Sequence, residues 1–252
     1  MLLPFRPAIA KTPEARARQR TELDRVVARL AEGRANTRAE IRAEIRRLRR
    51  FDDLLQAYGG FRARAPMPPV AGWAIDRPGL VGLVALIEEH RPRLIVELGS
   101  GVSSVWMGYV VQRSGGRLIT FDHLDEYAEI TRQALAAHGL DCVVQVRTAH
   151  LAPVSLGGVD YQWYDPGAFA DLQGIDLLVV DGPPGATGPA ARYPALGVLA
   201  GRFAPGAIVV LDDVNREDEQ SILHRWLDEV AGLSPPRAGT GRQAVLRYAD
   251  HG

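Results

Sequence analysis

Leu94-Ile95-Val96-Glu97-Leu98-Gly99-Ser100-Gly101-Val102-Ser103-Ser104 is the stretch on which the fold turns. A short apolar run, 94–98, interrupted only by Glu97, predicts a strand buried on both faces. Gly99 and Gly101 then let backbone pass close to a ligand with no β-carbon in the way. A helix is predicted over 103–113, and its free N–H groups and positive dipole end would face the same ligand.

The pattern repeats downstream. Strands are predicted over 117–121, 142–147, 175–180 and 207–211, and helices over 125–137, 189–203 and 216–231. Residues 243–248 form a last strand, with a short partner near 234–238. Only the stretch 149–174 reads as loop-rich, with at most a short strand around Tyr161, Trp163 and Tyr164. Strand–helix alternation with continuous apolar strands predicts an α/β fold. Its expected form is a Rossmann-like, doubly wound, mostly parallel seven-stranded sheet with helices on both faces. In such a sheet the first glycine turn lies at the ligand crevice.

Upstream, Asp76 can cap a helix over 77–90, preceded by a Pro-rich connector at 65–69. Residues 1–60 read as an Arg-rich helical appendage, 61–93 as connector and first helix, and 94–252 as the catalytic core. Within 13–57 the periods of Leu23, Val27, Leu30 and of Ile41, Ile45, Leu48 predict two helices, broken near Gly33 and restarted by the capping box Thr37–Glu40, or one kinked helix. So narrow a stripe must pack on something, and a homodimer through these helices is one expectation. Residues 1–65 carry 16 basic against 8 acidic residues, although the whole chain is neutral. The arginines alternate with glutamates at helical spacing, which favours a solvated helix face over a nucleic-acid partner. Cys142 is the lone cysteine, and no apolar run is long enough to span a bilayer. No secretory segment is read at Met1–Arg6, so a cytoplasmic protein is expected.

Asp122 ends the second strand, 21 residues beyond Gly101, the spacing of a carboxylate that grips ribose hydroxyls. Its other reading is a cap for the helix beginning near Asp125. Here the chain resembles the class I adenosylmethionine-dependent methyltransferases. Val96–Gly101 looks like their first motif, Asp176–Gly182 like their fourth-strand motif, and Pro205–Asp213 like their fifth-strand motif. The resemblance spans roughly 72–248. It implies S-adenosylmethionine as cofactor, seated by Glu97, Gly99, Ser100, Gly101, Asp122, His123, Ala149 and Asp181. The family often has an acid beside adenine after the third strand, where this chain has Thr148-Ala149-His150, so His150 or the Ala149 backbone would substitute.

A narrower resemblance is to metal-dependent O-methyltransferases, which carry an acid after strand four and an acidic pair after strand five. Asp181, Asp212 and Asp213 stand at those places, and Mg²⁺ is the natural guest for three carboxylates. Without a cation they would repel one another. Pro183-Pro184 departs from the sugar-modifying members, which carry another acid there. Asp213 could instead cap the following helix, and Asp181–Gly185 could be only a rigid turn.

Methyl transfer needs a nucleophile held in line and a base to take its proton. Asp181 and His150 are the candidate catalytic groups, with His123 a third candidate base. Trp73, Tyr164, Arg192, Tyr193 and Arg216 are candidates for the acceptor site. The expected acceptor is a small molecule bearing a hydroxyl. The rivals are an NAD-type oxidoreductase, which would want glycine or alanine where Ser104 stands, and a non-catalytic module using the basic arm.

Overall fold

Leu94–Leu98 is the central strand, β1, and every one of its residues is buried. The computed structural model describes residues 51–52, 55–56, 60–70 and 72–249. The chain divides into two compact units, Met1–Leu54 and Leu55–Gly252. The two helices expected over 13–57, and the dimer expected through them, lie outside the described residues, apart from short helical pieces at 51–52 and 55–56.

The second unit runs in chain order α1 (Arg77–His90), β1, α2 (Val102–Ser114), β2 (Arg117–Asp122), α3 (Asp125–Ala137) and β3 (Val144–Thr148). It continues with β4 (Leu151–Leu156), β5 (Val159–Tyr164), β6 (Ile175–Val180), α4 (Pro194–Leu199) and β7 (Phe203–Leu211). It ends with α5 (Glu217–Glu229), β8 (Arg237–Ala238) and β9 (Ala244–Arg247). Asp76 caps α1 as its position predicts, accepting the Gly79 N–H at 2.8 Å.

Seven strands form one sheet in the order β3-β2-β1-β6-β7-β9-β8. The five from β3 to β7 are mutually parallel, while β9 runs antiparallel to β7 and β8 antiparallel to β9. The order reverses beside β1, where a doubly wound sheet opens its ligand crevice. Alternation along the strands sorts the two faces. Val96, Leu98, Leu178, Val180, Val209 and Leu211 join a core cluster with Trp163, Phe169, Leu196 and Trp226, so α4, α5 and the β4–β5 pair cover that face. Glu97 points the other way, toward Ser103 and Ser104 of α2.

Register sets the functional edge. Leu98 is level with Phe121 and Val180, and Val180 with Leu211. The next residue of each strand therefore falls on one row. Backbone bonds seal it: Ala149 N–H to Asp122 O at 2.8 Å, Gly99 to Phe121 at 2.8 Å, Asp181 to Leu98 at 2.9 Å and Asp212 to Val180 at 3.0 Å.

Three expectations change. The loop-rich stretch is an antiparallel hairpin, β4–β5, that pairs with no other strand. Its turn is Gly157-Gly158, both with φ positive (58° and 78°), as a two-residue hairpin requires. The helix expected over 189–203 shrinks to α4 plus a 3-10 turn at Ala200–Arg202. Pro194 lacks an N–H and opens α4 at its first turn, and Ala190 before it takes φ +48°. Cys142, expected to start a buried strand, is exposed just ahead of β3. Among the described residues no helix is long and apolar enough to cross a membrane.

Candidate functional site

The glycine turn is braced from below. Glu97 is fully buried, and its two oxygens accept from Ser103 Oγ and Ser104 Oγ, both at 2.5 Å. The Gly101 N–H in turn donates to Ser104 Oγ at 3.1 Å. Burial pushes the Glu97 carboxyl up from 4.5 to about 7, against the pull of its serine and threonine hydrogen bonds. Glu97, expected as a cofactor ligand, is buried on the α2 side of β1, where its carboxyl group braces the turn. Ser103 and Ser104 were not foreseen in that role, although serines at the second and third positions of the following helix are the signal that reveals it.

Above the prop the turn is open. Gly99 has φ +99°, and a β-carbon there would stand 3.3 Å from the Asp181 carbonyl carbon. Gly101 has φ +155°, and a β-carbon there would meet nothing within 4 Å. Open space over a glycine at a strand–helix turn is the shape of a ligand seat. Beside it, Asp122 Oδ2 accepts from Ser100 Oγ at 2.8 Å, and Ser100 Oγ lies 3.0 Å from Thr131 Oγ1. Asp122 Oδ1 accepts the Leu124 N–H at 3.1 Å, so the helix-cap reading survives only as this one bond, since α3 has no side-chain cap. His123 Nδ1 lies 3.5 Å from Asp122 Oδ1.

The next edge positions are acidic. Asp181, Asp212 and Asp213 each offer an oxygen, all within 4.8 Å of one another. Into them comes Arg192, only 3% exposed. Its Nη2 donates to Asp181 Oδ1 at 3.2 Å and to Asp213 Oδ2 at 3.1 Å, and its Nη1 to the Asp212 carbonyl at 3.0 Å. Its Nε faces Glu219 Oε1 at 3.7 Å. Burial depresses the Arg192 pKa, but Asp181, Asp213, Glu219 and Asp212 together outweigh it, and the net shift is upward. Two further cations close the cluster: Arg216 Nη1 sits 2.9 Å from Asp213 Oδ2, and Arg242 Nη1 3.2 Å from Asp213 Oδ1. Burial raises Asp181 well above its ordinary 3.8, with Arg192 opposing. Burial, then repulsion by Asp213, raises Asp212 to about 6.

A divalent ion was expected here. Both Asp212 oxygens are buried without a hydrogen-bond partner, which suits a metal ligand. The other two carboxylates do not suit one. Asp181 Oδ1 and Asp213 Oδ2 are bonded to one guanidinium, and Asp213 Oδ1, although buried without a hydrogen bond, lies 3.2 Å from Arg242 Nη1, so an ion among the acids would press against these cations. The donor set does not fit Mg²⁺, which demands near-ideal octahedral oxygens.

Other expected site residues fall elsewhere. Arg192 does not face solvent or acceptor but lies beneath the acids. Arg216, expected at the acceptor site, pairs with Asp213. Asp213 takes φ +62° and does not cap α5 through its side chain. Tyr193 turns its hydroxyl to Glu229, under the Arg225 guanidinium 3.5 Å from its ring centroid, so it builds the α4–α5 flank. Tyr164 is not on a loop: it ends β5, fully buried, with its hydroxyl so close to Gly182 that a β-carbon there would collide with it. Burial, then the Asp122 charge, holds that phenol well above 10. Trp73 is 79% exposed in the turn before α1 and shares no hydrogen bond or ring contact with the acids among the described residues. His150 is exposed, its Nδ1 3.3 Å from the His123 carbonyl and its Nε2 3.7 Å from Asp125. The Ala149 N–H donates to the Asp122 carbonyl. Arg242 and Glu219 were not foreseen at the site; a residue between β8 and β9 gives no sequence sign of reaching β7.

A family model described as a methyltransferase domain matches residues 96–214, just under half of the chain. No curated protein matches it. Among solved structures, it is similar to a methyltransferase from Geobacter sulfurreducens, at 20% identity and TM-score 0.51, over 70% of this chain and 81% of that one. An O-methyltransferase from Bacillus cereus in complex with SAH aligns at 18% identity and TM-score 0.53, over 79% and 90%. The O-methyltransferase TomG from Streptomyces achromogenes, involved in tomaymycin synthesis and in complex with SAM, aligns at 18% and 0.52, over 79% and 89%. At such identities the likeness is one of fold.

Proposed function

We propose that this chain, whose residues 96–214 match a methyltransferase domain model, moves a methyl group from S-adenosylmethionine to the hydroxyl of a small molecule. The observation that carries the reading is the open seat over Gly101 with the Asp122 carboxylate beside it on the same sheet edge. When bound, adenosylmethionine supplies a methyl on a sulfonium, ready for in-line displacement. Gly99 and Gly101 give its methionine part room, and Asp122, backed by Ser100, takes the ribose hydroxyls. His123 flanks the same crevice from the end of β2.

Asp181 is the base. It follows β6 directly, next to Gly99, and Arg192 fixes one of its oxygens while the carboxylate keeps an exposed side. A carboxylate in that state can take the acceptor proton as the new C–O bond forms. His150, mostly in solvent and paired with Asp125, stands at the rim. Magnesium has no step in this scheme, because Arg192 already binds the acids. A nicotinamide reading loses ground at Ser104, whose hydroxyl is committed to Glu97 at the point where a dinucleotide fold needs the least side chain.

Calorimetry with adenosylmethionine, adenosylhomocysteine and NAD tests the proposal. Both sulfur nucleosides should bind and NAD should not. Binding of NAD with neither of the others would overturn it.

A further inference from the structure

We infer that Arg192 is the built-in cation of the acidic edge, standing where a divalent ion would otherwise be held, and that this chain works without such an ion. The inference rests on the methyltransferase reading only for its bearing on catalysis; the occupancy of the site is a separate physical question.

Four carboxylates meet there: Asp181, Asp212, Asp213 and Glu219. Three guanidiniums face them, from Arg192, Arg216 and Arg242. The charges thus nearly cancel within the chain, and adding two positive charges would reverse the sign of the cluster. Geometry says the same. Arg192 Nη2 lies 3.2 Å from one carboxylate and 3.1 Å from another, so it occupies the angle between them. Nη1 is tied to the carbonyl of the third acid at 3.0 Å, which anchors the guanidinium plane to the end of β7.

The arginine is held from the other side as well. It precedes Tyr193, whose carbonyl accepts from Trp226 Nε1 at 2.9 Å, and Trp226 is buried in α5. A side chain fixed at both ends does not swing out to admit an ion. Asp213 is held in a left-handed backbone conformation by three guanidiniums, a posture that a coordination shell would have to rebuild. Arg192 is buried and spends its two Nη atoms on the acids. It is a positioning residue, fixing the Asp181 carboxylate in one orientation.

Manganese, a spectroscopically visible stand-in for magnesium, tests this on the full chain with no cofactor or acceptor present. Electron paramagnetic resonance titration of the unaltered protein should show no saturable site below millimolar Mn²⁺. Arg192→Gln, which removes the charge and keeps some hydrogen bonding, should gain a site at least tenfold tighter. A purely structural arginine would produce no such gain. Turnover of the unaltered protein should be indifferent to chelation. The inference fails if the unaltered chain binds one Mn²⁺ tightly and Asp212→Asn abolishes that binding, or if chelation stops turnover and Mg²⁺ restores it. Those two measurements decide the matter even if Arg192→Gln does not fold. Adenosylmethionine calorimetry alongside separates failure of the methyltransferase reading from failure of this one.

Discussion

Replacing Glu97 by glutamine should change the pH dependence of stability in a direction that the burial of this carboxyl fixes. In the folded chain the group holds its proton to about 7, whereas its ordinary value is 4.5. Between those values the unfolded chain has released a proton that the folded chain keeps. Stability from this group is therefore complete below 4.5, declines as pH rises, and is fully lost above about 7. At about 1.4 kcal/mol per pH unit, the whole effect is about 3 kcal/mol. Glutamine does not titrate. The stability of the unaltered protein relative to Glu97→Gln should fall by about 2 kcal/mol between roughly pH 5 and 7.5, or roughly 4–8 °C in Tm for a domain of this size. Urea denaturation of both proteins at half-unit steps measures it, and other titrating groups cancel in the difference. Two forces compete here: burial favours the neutral acid, while the Ser103 and Ser104 hydroxyls favour the ion. A difference that stays flat would show that they balance. One that grows with pH would show that the serines win, and the account of Glu97 as a protonated prop would be wrong.

Two further expectations concern the seat and the base. Gly99→Ala should destabilise the fold by about 1–3 kcal/mol through its left-handed backbone and the nearby Asp181 carbonyl. Gly101→Ala is strained too, at φ +155°, and should in addition lower adenosylmethionine affinity, because its methyl would project into the open seat; melting curves read the strain in both variants and calorimetry reads the affinity. Asp181→Asn should lower kcat by about 10²–10⁴-fold, whereas His150→Ala should leave it within a few-fold; steady-state rates for both variants check the assignment, and the reverse ranking would move the base to His150.

Most of the sheet was legible because it is written in local patterns. The apolar runs at 94–98 and 175–180 match β1 and β6 to the residue, and the Asp76 cap places α1. The hairpin was legible in principle: Gly157-Gly158 flanked by Leu156 and Val159 is a hairpin signal, and Tyr161 and Trp163 alternate inward on β5. It was masked by the aromatic cluster, which reads equally as a pocket wall. In the site, the row of acids could be foreseen because each follows a strand whose register is set by neighbours. The cation among them could not. Arg192 lies 11 residues beyond Asp181, across a turn containing Pro183, Pro184 and Pro189, and nothing local distinguishes a buried guanidinium from a solvated one. Glu219 lies in the first turn of α5, an ordinary place for an acid, yet its burial against Arg192 is a tertiary fact.

The β4–β5 hairpin leaves the main sheet straight after the functional edge, and its strands pair only with each other. Residues can be inserted or deleted at its Gly157-Gly158 tip without shifting any strand that carries Gly99, Asp122 or Asp181. A lineage of such chains can thus vary the hairpin's tip, altering its flank over generations while the buried Val154 of β4, the buried Tyr164 of β5 and the older machinery stay in register.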